Sequence, residues 1–382
     1  MKRSLLLLSL LATPCILISC GDDNDSVATS TQMTPSSPSV VYRLFEKQCE
    51  TIHEKKALKA GYAGKAAELK KVRQQLLNKY CMGAALGGHS ELVFKAINRA
   101  KDDVYKKIYA SYALHGAAAG GHTELVETLV KKGALISSGL EGAAEGKQMS
   151  VIQTLRGKEK NAPDFILEGA AHGGHMDLVK MMLEEGADPS DGFEGAAEGG
   201  HLKIAKLLLS KGAHISDSIK LAARGGHIEM VKLILDNSKS FELDVQDGLI
   251  YAARGGHMNI VKLLLDKGGN PINALQGAAY GGHVKIVQEM LKKGVAPNEG
   301  LSDAVRGGNK KVVQLLIEKG ADPNKCDALL IATIEGHADI VQYLLTLPDV
   351  HKYPRDVKGR TLLDIAEEEG YKDCAELIRA AM

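Results

Sequence analysis

The stretch Gly192 to Asp217, GFEGAAEGGHLKIAKLLLSKGAHISD, recurs along the chain and limits the fold more than any other feature. Its paired glycine returns as Gly173, Gly199, Gly225, Gly255, Gly281 and Gly307, mostly 26 residues apart. A unit this short cannot bury an apolar face alone. Self-similarity at such a period therefore predicts stacked copies that complete one another's core.

Each copy reads as two helices. The first is short and Ala-rich, and the Gly-Gly pair closes it, because a residue without Cβ enters the left-handed conformation that ends a helix. The second places large apolar residues at i, i+1, i+4 and i+5, as in Ile260, Val261, Leu264 and Leu265 or Val312, Val313, Leu316 and Ile317. That spacing paints one side of a helix. Gly133, Gly186, Gly212, Gly268, Gly294 and Gly320 then stop it and turn the chain back.

The unit resembles an ankyrin repeat, through Ala170, Ala171, Gly174, His175, the helix LVKMML and Gly186, Ala187, Asp188. Near the end of the chain, Asp356, Gly359, Thr361, Leu363, Ala366 and Gly370 stand where the family places Asp-x-x-Gly-x-Thr-x-Leu-x-x-Ala-x-x-x-Gly. The resemblance covers roughly residues 80 to 382 and implies an all-α, ankyrin-type repeat solenoid of stacked helix pairs. Family repeats usually run to about 33 residues. The internal copies lack the Thr-Pro-Leu-His entry and part of the hairpin finger, so reduced fingers are expected there.

Before the array the chain opens with MKRSLLLLSLLATPCILISC, in which Lys2 and Arg3 precede an apolar run ending in small residues. This is the pattern of a secretory signal rather than of a membrane span. Leu17, Ile18, Ser19 and Cys20 resemble a bacterial lipobox, which implies acylation of Cys20 after removal of residues 1–19. More than one acyl chain would make the anchor stable. Gly21 to Ser39 is rich in Asp, Ser, Thr and Pro. Such a segment cannot bury enough surface to fold, and as a tether it would span roughly 25 Å. Residues 40–79 are Lys-rich, with helix-forming composition in VVYRLFEKQCETIHEKKALKA and AAELKKVRQQLLNKY, and are expected to form two capping helices.

Copies begin near residues 80, 112, 139, 165, 192, 218, 248, 275, 301, 329 and 359. The links NRAKDDVYKKIYAS and TLPDVHKYPRDVKGR are longer than the rest, so full-length fingers are expected only at the two ends. A smaller insertion, NSKSFELDVQD, follows the sixth copy, and the third copy is degenerate, with GKQMSVIQTLRGKEK in place of the Gly-Gly-His helix.

Composition narrows the function. A formal net charge of +1 and 4% aromatic residues, with no Trp, supply neither the basic surface nor the stacking rings of a nucleic-acid binder. Cys49, Cys81, Cys326 and Cys374 lack metal-ligand spacing, and Cys49 and Cys81 are either bridged or both reduced. His89, His122, His175, His201, His227, His257, His283 and His337 share one repeat position. Stacked helices lie about 8–10 Å apart, too far for those imidazoles to share an ion, so no metal is expected; the family resemblance implies instead that they bond locally across the loop. Gly142 to Gln148 falls one residue short of a phosphate loop and lacks its Ser or Thr. No set of residues suited to catalysis stands outside the repeat pattern, so neither enzyme activity nor a cofactor is expected.

Binding remains. The residues flanking Ala-Ala in the first helices lie one turn apart on one face. They are Glu141 and Glu145, Glu168 and His172, Glu194 and Glu198, Lys220 and Arg224, then Arg254, Tyr280 and Arg306 with Tyr251 beside them. The run begins acidic and turns basic and aromatic, and Arg and Tyr favour interface hot spots. These positions are expected to form an exposed concave surface for a protein partner. The expected protein is a monomeric, lipid-anchored scaffold or inhibitor facing the periplasm or cell surface. Two alternatives remain, an exported effector that binds a host protein and a structural envelope spacer.

Overall fold

A computed structural model describes residue 42, residues 52–69, residue 72, residues 76–215 and residues 218–381. The signal, Cys20 and the tether lie outside the described residues, as do Cys49 and much of the expected cap. The chain divides into two compact units, Met1–Ser238 and Lys239–Met382.

In the first unit the described helices are α1 (Ile52–Tyr62), α2 (Ala66–Leu69), α3 (Leu77–Leu86), α4 (Ser90–Ile97), α5 (Asp103–Ala119), α6 (Thr123–Lys131) and α7 (Ile136–Glu145). They continue with α8 (Met149–Arg156), α9 (Ala162–His172), α10 (Met176–Glu184), α11 (Pro189–Gly199), α12 (Leu202–Ser210), α13 (Ser218–Arg224) and α14 (Ile228–Asn237). From α1 to α11 each odd-numbered helix packs on the next odd one, and from α3 to α13 each also packs on the even-numbered helix that follows it. The second unit repeats the arrangement. Its first helices are α15 (Phe241–Gly255), α17 (Pro271–Gly281), α19 (Asn298–Arg306), α21 (Ala328–Ile334) and α23 (Leu362–Glu368). Their partners are α16 (Met258–Asp266), α18 (Val284–Lys292), α20 (Lys310–Glu318), α22 (Ala338–Leu345) and α24 (Lys372–Ala381). The fold is an all-α repeat solenoid.

Small residues let the first helices touch backbone to backbone. A Cβ on Gly142, Gly169, Gly195 or Gly277 would run into the carbonyl oxygen of His115, Glu141, Glu168 or Ile250 in the copy before. Alanines fill the remaining contact, as with Ala196, Ala197, Ala278 and Ala279, all at 0% exposure. In the second helices the apolar residues at i, i+1 and i+4 are buried, as Ile260, Val261 and Leu264 are. The fourth member of the stripe, for example Leu265, Leu291 or Ile317, is only half-buried, because a helix this short presents a narrow strip to its neighbour.

Helix ends follow the sequence signals. The second glycine of the Gly-Gly pair is left-handed, as at Gly200 (φ 74°) and Gly282 (φ 78°), and so are Gly133, Gly186, Gly212 (φ 90°), Gly268, Gly294 and Gly320 after second helices. In the degenerate third copy Lys147 takes this conformation at φ 53°. Asp188 and Asn270 cap α11 and α17 by accepting from the Ser190 and Ile272 N–H groups, ahead of Pro189 and Pro271.

Two expectations need correction. The long link after the first copy forms no finger. Its residues extend α5 to 17 residues, since Tyr109, Ala110, Ala113 and Leu114 continue the buried face of the Ala-rich segment. The link after the sixth copy likewise becomes the start of α15, 15 residues long. Among the described residues, only the last link holds a finger-like turn, where Arg355 pairs with Thr361 and Asp356 accepts from the Lys358 and Arg360 N–H groups. The cap differs too. Helix α1 takes the place of a first helix, with Leu58 fully buried and Gly61 against the Tyr80 carbonyl.

Candidate functional site

Two ladders of hydrogen bonds set the first-helix surface. His201 donates from Nε2 to the His172 carbonyl at 3.0 Å, and His89, His122, His175, His227, His283 and His337 reach Tyr62, Leu86, Glu145, Glu198, Arg254 and Arg306 in the same way. The bond therefore crosses to the preceding copy, in place of the expected local bond across the loop. The Gly-Gly-His order explains this. The imidazole of His201 lies against Gly174 of the preceding copy, where a Cβ would collide with the ring. Gln148 and Asn309 substitute for His through amide donors to the carbonyls of Ala119 and Tyr280.

The second ladder runs along the loops. Ser111, Asp164, Ser190, Gln246, Asn298 and Asn324 accept from the N–H groups of Leu135, Asp188, His214, Asn270, Asp322 and His351. These side chains hold the turns where hairpin fingers would otherwise pair. All but the last pair are 24 residues apart, a spacing that the sequence shows but that was not read from it.

The expected binding residues divide into two kinds. In the first unit Glu194 is exposed, and Glu141, Glu168, Glu198 and Lys220 are half-buried on their helices. Glu145 and Arg224 are each 1% exposed and His172 8%, which corrects the expectation that they lie open to a partner. Their neighbours enclose them. His115 Nε2 is 2.9 Å from Glu145 Oε2, His172 Nδ1 is 3.7 Å from Glu145 Oε1, and Arg224 Nη2 is 3.6 Å from Glu198 Oε1. His115 was missed in the sequence although it occupies, in the second copy, the position that Glu141 occupies in the third.

In the second unit Arg306 is exposed, while Tyr251, Arg254 and Tyr280 are half-buried. The Arg254 guanidinium lies over the Tyr280 ring at 3.7 Å and stands 6.0 Å from the Tyr251 ring. Burial raises the Asp303 pKa, although Arg306 and Arg254 oppose that rise. Cys81 is a free buried thiol whose pKa burial pushes up, and Cys326 is also a free thiol. Among the described residues no helix is long and apolar enough to cross a membrane.

A family model described as Ankyrin repeats (3 copies) matches residues 219–300 and again 301–381, and one described as Ankyrin repeat matches residues 111–138. No curated protein sequence matches the chain. The matched segments span half of its length, and the packing continues through the copies between them. By these matches and this packing, the chain belongs to the ankyrin-repeat family.

Proposed function

We propose that this protein is a non-catalytic scaffold or inhibitor of the bacterial envelope, anchored by lipid on Cys20, that holds a partner protein on its first helices. Ankyrin repeats generally mediate protein–protein interaction, and the partner class follows from that. The residues that would carry contact are Glu141, Glu168, Glu194, Glu198 and Lys220 in one unit, and Tyr251, Arg254, Tyr280 and Arg306 in the other.

The observation that carries this reading is Arg254 stacked on Tyr280 at 3.7 Å. A guanidinium fixed on a ring has already lost its rotamer freedom, so little more is lost when it binds a carboxylate or carbonyl. Arg and Tyr side chains held in this way are typical hot spots.

The test is retrieval of a partner with the intact protein from its own membranes, followed by affinity measurement on variants. Arg254→Ala and Tyr280→Ala should each weaken binding by about thirtyfold, the equivalent of about 2 kcal/mol. Lys206→Glu with Lys232→Glu, on exposed second-helix positions, should leave it unchanged. Equal losses from both sets would place the contact elsewhere. For the anchor, Cys20→Ala should abolish fatty-acid labelling, and labelling that persists would remove the lipoprotein reading.

A further inference from the structure

Titratable side chains are buried or half-buried among four successive first helices of the Met1–Ser238 unit. Helices α5, α7, α9 and α11 pack in a row through Gly and Ala, yet a chain of ionisable groups runs through them. His115 on α5 meets Glu145 on α7 at 2.9 Å and Glu141 at 3.9 Å, and Glu145 meets His172 on α9 at 3.7 Å. Glu145 Oε1 is buried without a hydrogen bond. A desolvated carboxylate in that position is costly unless a positive charge faces it. One copy further on, Glu168 of α9 faces Glu141 of α7 and Glu194, Asp191 and Glu198 of α11, every one a carboxylate.

We propose that these four helices form a proton-loaded clamp. They hold together most firmly in mildly acidic solution, where His115 is charged against Glu145 and Glu168 is neutral among its neighbours, and they loosen as the solution turns alkaline.

The groups around each site set the direction. Glu145 faces His115, His172, His175 at the start of α10, and Glu141 of its own helix. His115 faces both Glu residues and, from α3, Lys79. Burial disfavours the charged imidazole of His115, but Glu145 more than offsets this and its pKa stands above the ordinary value. Burial raises the Glu168 carboxyl well above its ordinary value, with Glu141 and Glu194 adding to the rise, and burial raises Glu141 as well. Burial also works against the charge of Glu145, yet His172 and His115 hold its pKa below the ordinary value.

Linkage turns these directions into a stability profile. The contribution of His115 is complete below its ordinary 6.5 and is lost as pH climbs through the raised folded value. Glu141 and Glu168 keep protons that an unfolded chain sheds near 4.5, so they too favour the folded state less as pH rises above that value. Glu145 and His175 act the other way. The Glu145 contribution is present above 4.5 and is lost only as pH falls through its depressed folded value, and burial, which lowers the His175 pKa, withdraws some stability as pH falls below 6.5. Stability of these helices should therefore peak in mild acid.

Hydrogen exchange of the full chain, corrected for intrinsic rates, would test this by comparing peptides from residues 103–199 with reference peptides from residues 258–318. Each additional proton bound by the folded state shifts the opening equilibrium by about tenfold per pH unit. Relative protection of residues 103–199 should thus rise about tenfold or more between pH 8 and pH 5.5. Glu168→Gln, which fixes a neutral side chain, should raise protection at pH 8 toward the acid value, and His115→Gln should flatten much of the remaining slope. A ratio that stays flat or rises toward pH 8 would overturn the proposal. So would a Glu168→Gln protein no better protected at pH 8 than its parent.

Discussion

Arg224 and Glu198, from adjacent first helices, bring Nη2 and Oε1 to 3.6 Å with the arginine almost wholly out of solvent. Opposite charges at the C-terminal ends of two successive Ala-rich helices thus serve packing. Arg224→Glu would set like charges together inside the stack, and Arg224→Ala would leave Glu198 without its cation. Breaking a buried pair from one side costs about 3–5 kcal/mol. Because the Arg224 and Glu198 nitrogen and oxygen are separated by more than a hydrogen bond, the lower end is expected for Arg224→Ala. Chemical denaturation of the two variants would check this, with Arg224→Glu the less stable.

The imidazole ladder makes a graded prediction. His201→Ala should cost about 1–3 kcal/mol, since the buried His172 carbonyl loses its donor. His201→Asn should recover a good part of that, because Asn309 already fills the same position in the ninth copy with an amide bond to Tyr280. Thermal unfolding of the pair decides the matter. Equal losses would mean that the ring packs but does not bond.

Glycines differ by location. Gly195→Ala places a Cβ against the Glu168 carbonyl, so neighbouring first helices must separate, and overpacking of this kind costs about 1–3 kcal/mol. A Cβ on Gly157 meets nothing within 4 Å, and its φ of −72° suits any residue. Gly157→Ala should therefore stabilise by about 0.4–1 kcal/mol through the unfolded chain. Denaturation midpoints of opposite sign would confirm the contrast.

Helix pairs were legible because their signals are local. Gly-Gly endings and the apolar stripe each lie within one copy, and Ile260, Val261 and Leu264 are buried as that stripe requires. The burial of Glu145 and Arg224 was not legible. A side chain beside Ala-Ala can point outward or fold onto the next helix, and the choice rests on partners in other copies, His115 and His172 for the one and Glu198 for the other. The long α5 left a signal that was read as a link, for Tyr109, Ala110, Ala113 and Leu114 already hold helical spacing with the alanines after them. The anchor on Cys20 is a matter of sequence alone, since that residue lies outside the described ones.

Each histidine of the ladder is met by the same carbonyl position in the copy before it, so this hydrogen bond repeats from seam to seam even where the charged side chains beside it differ. Excising one whole 26-residue period within a unit would bring an imidazole donor to an equivalent carbonyl acceptor. Such a molecule can grow or shrink by entire periods more readily than it can accept one altered residue inside a seam. Its length is the adjustable dimension.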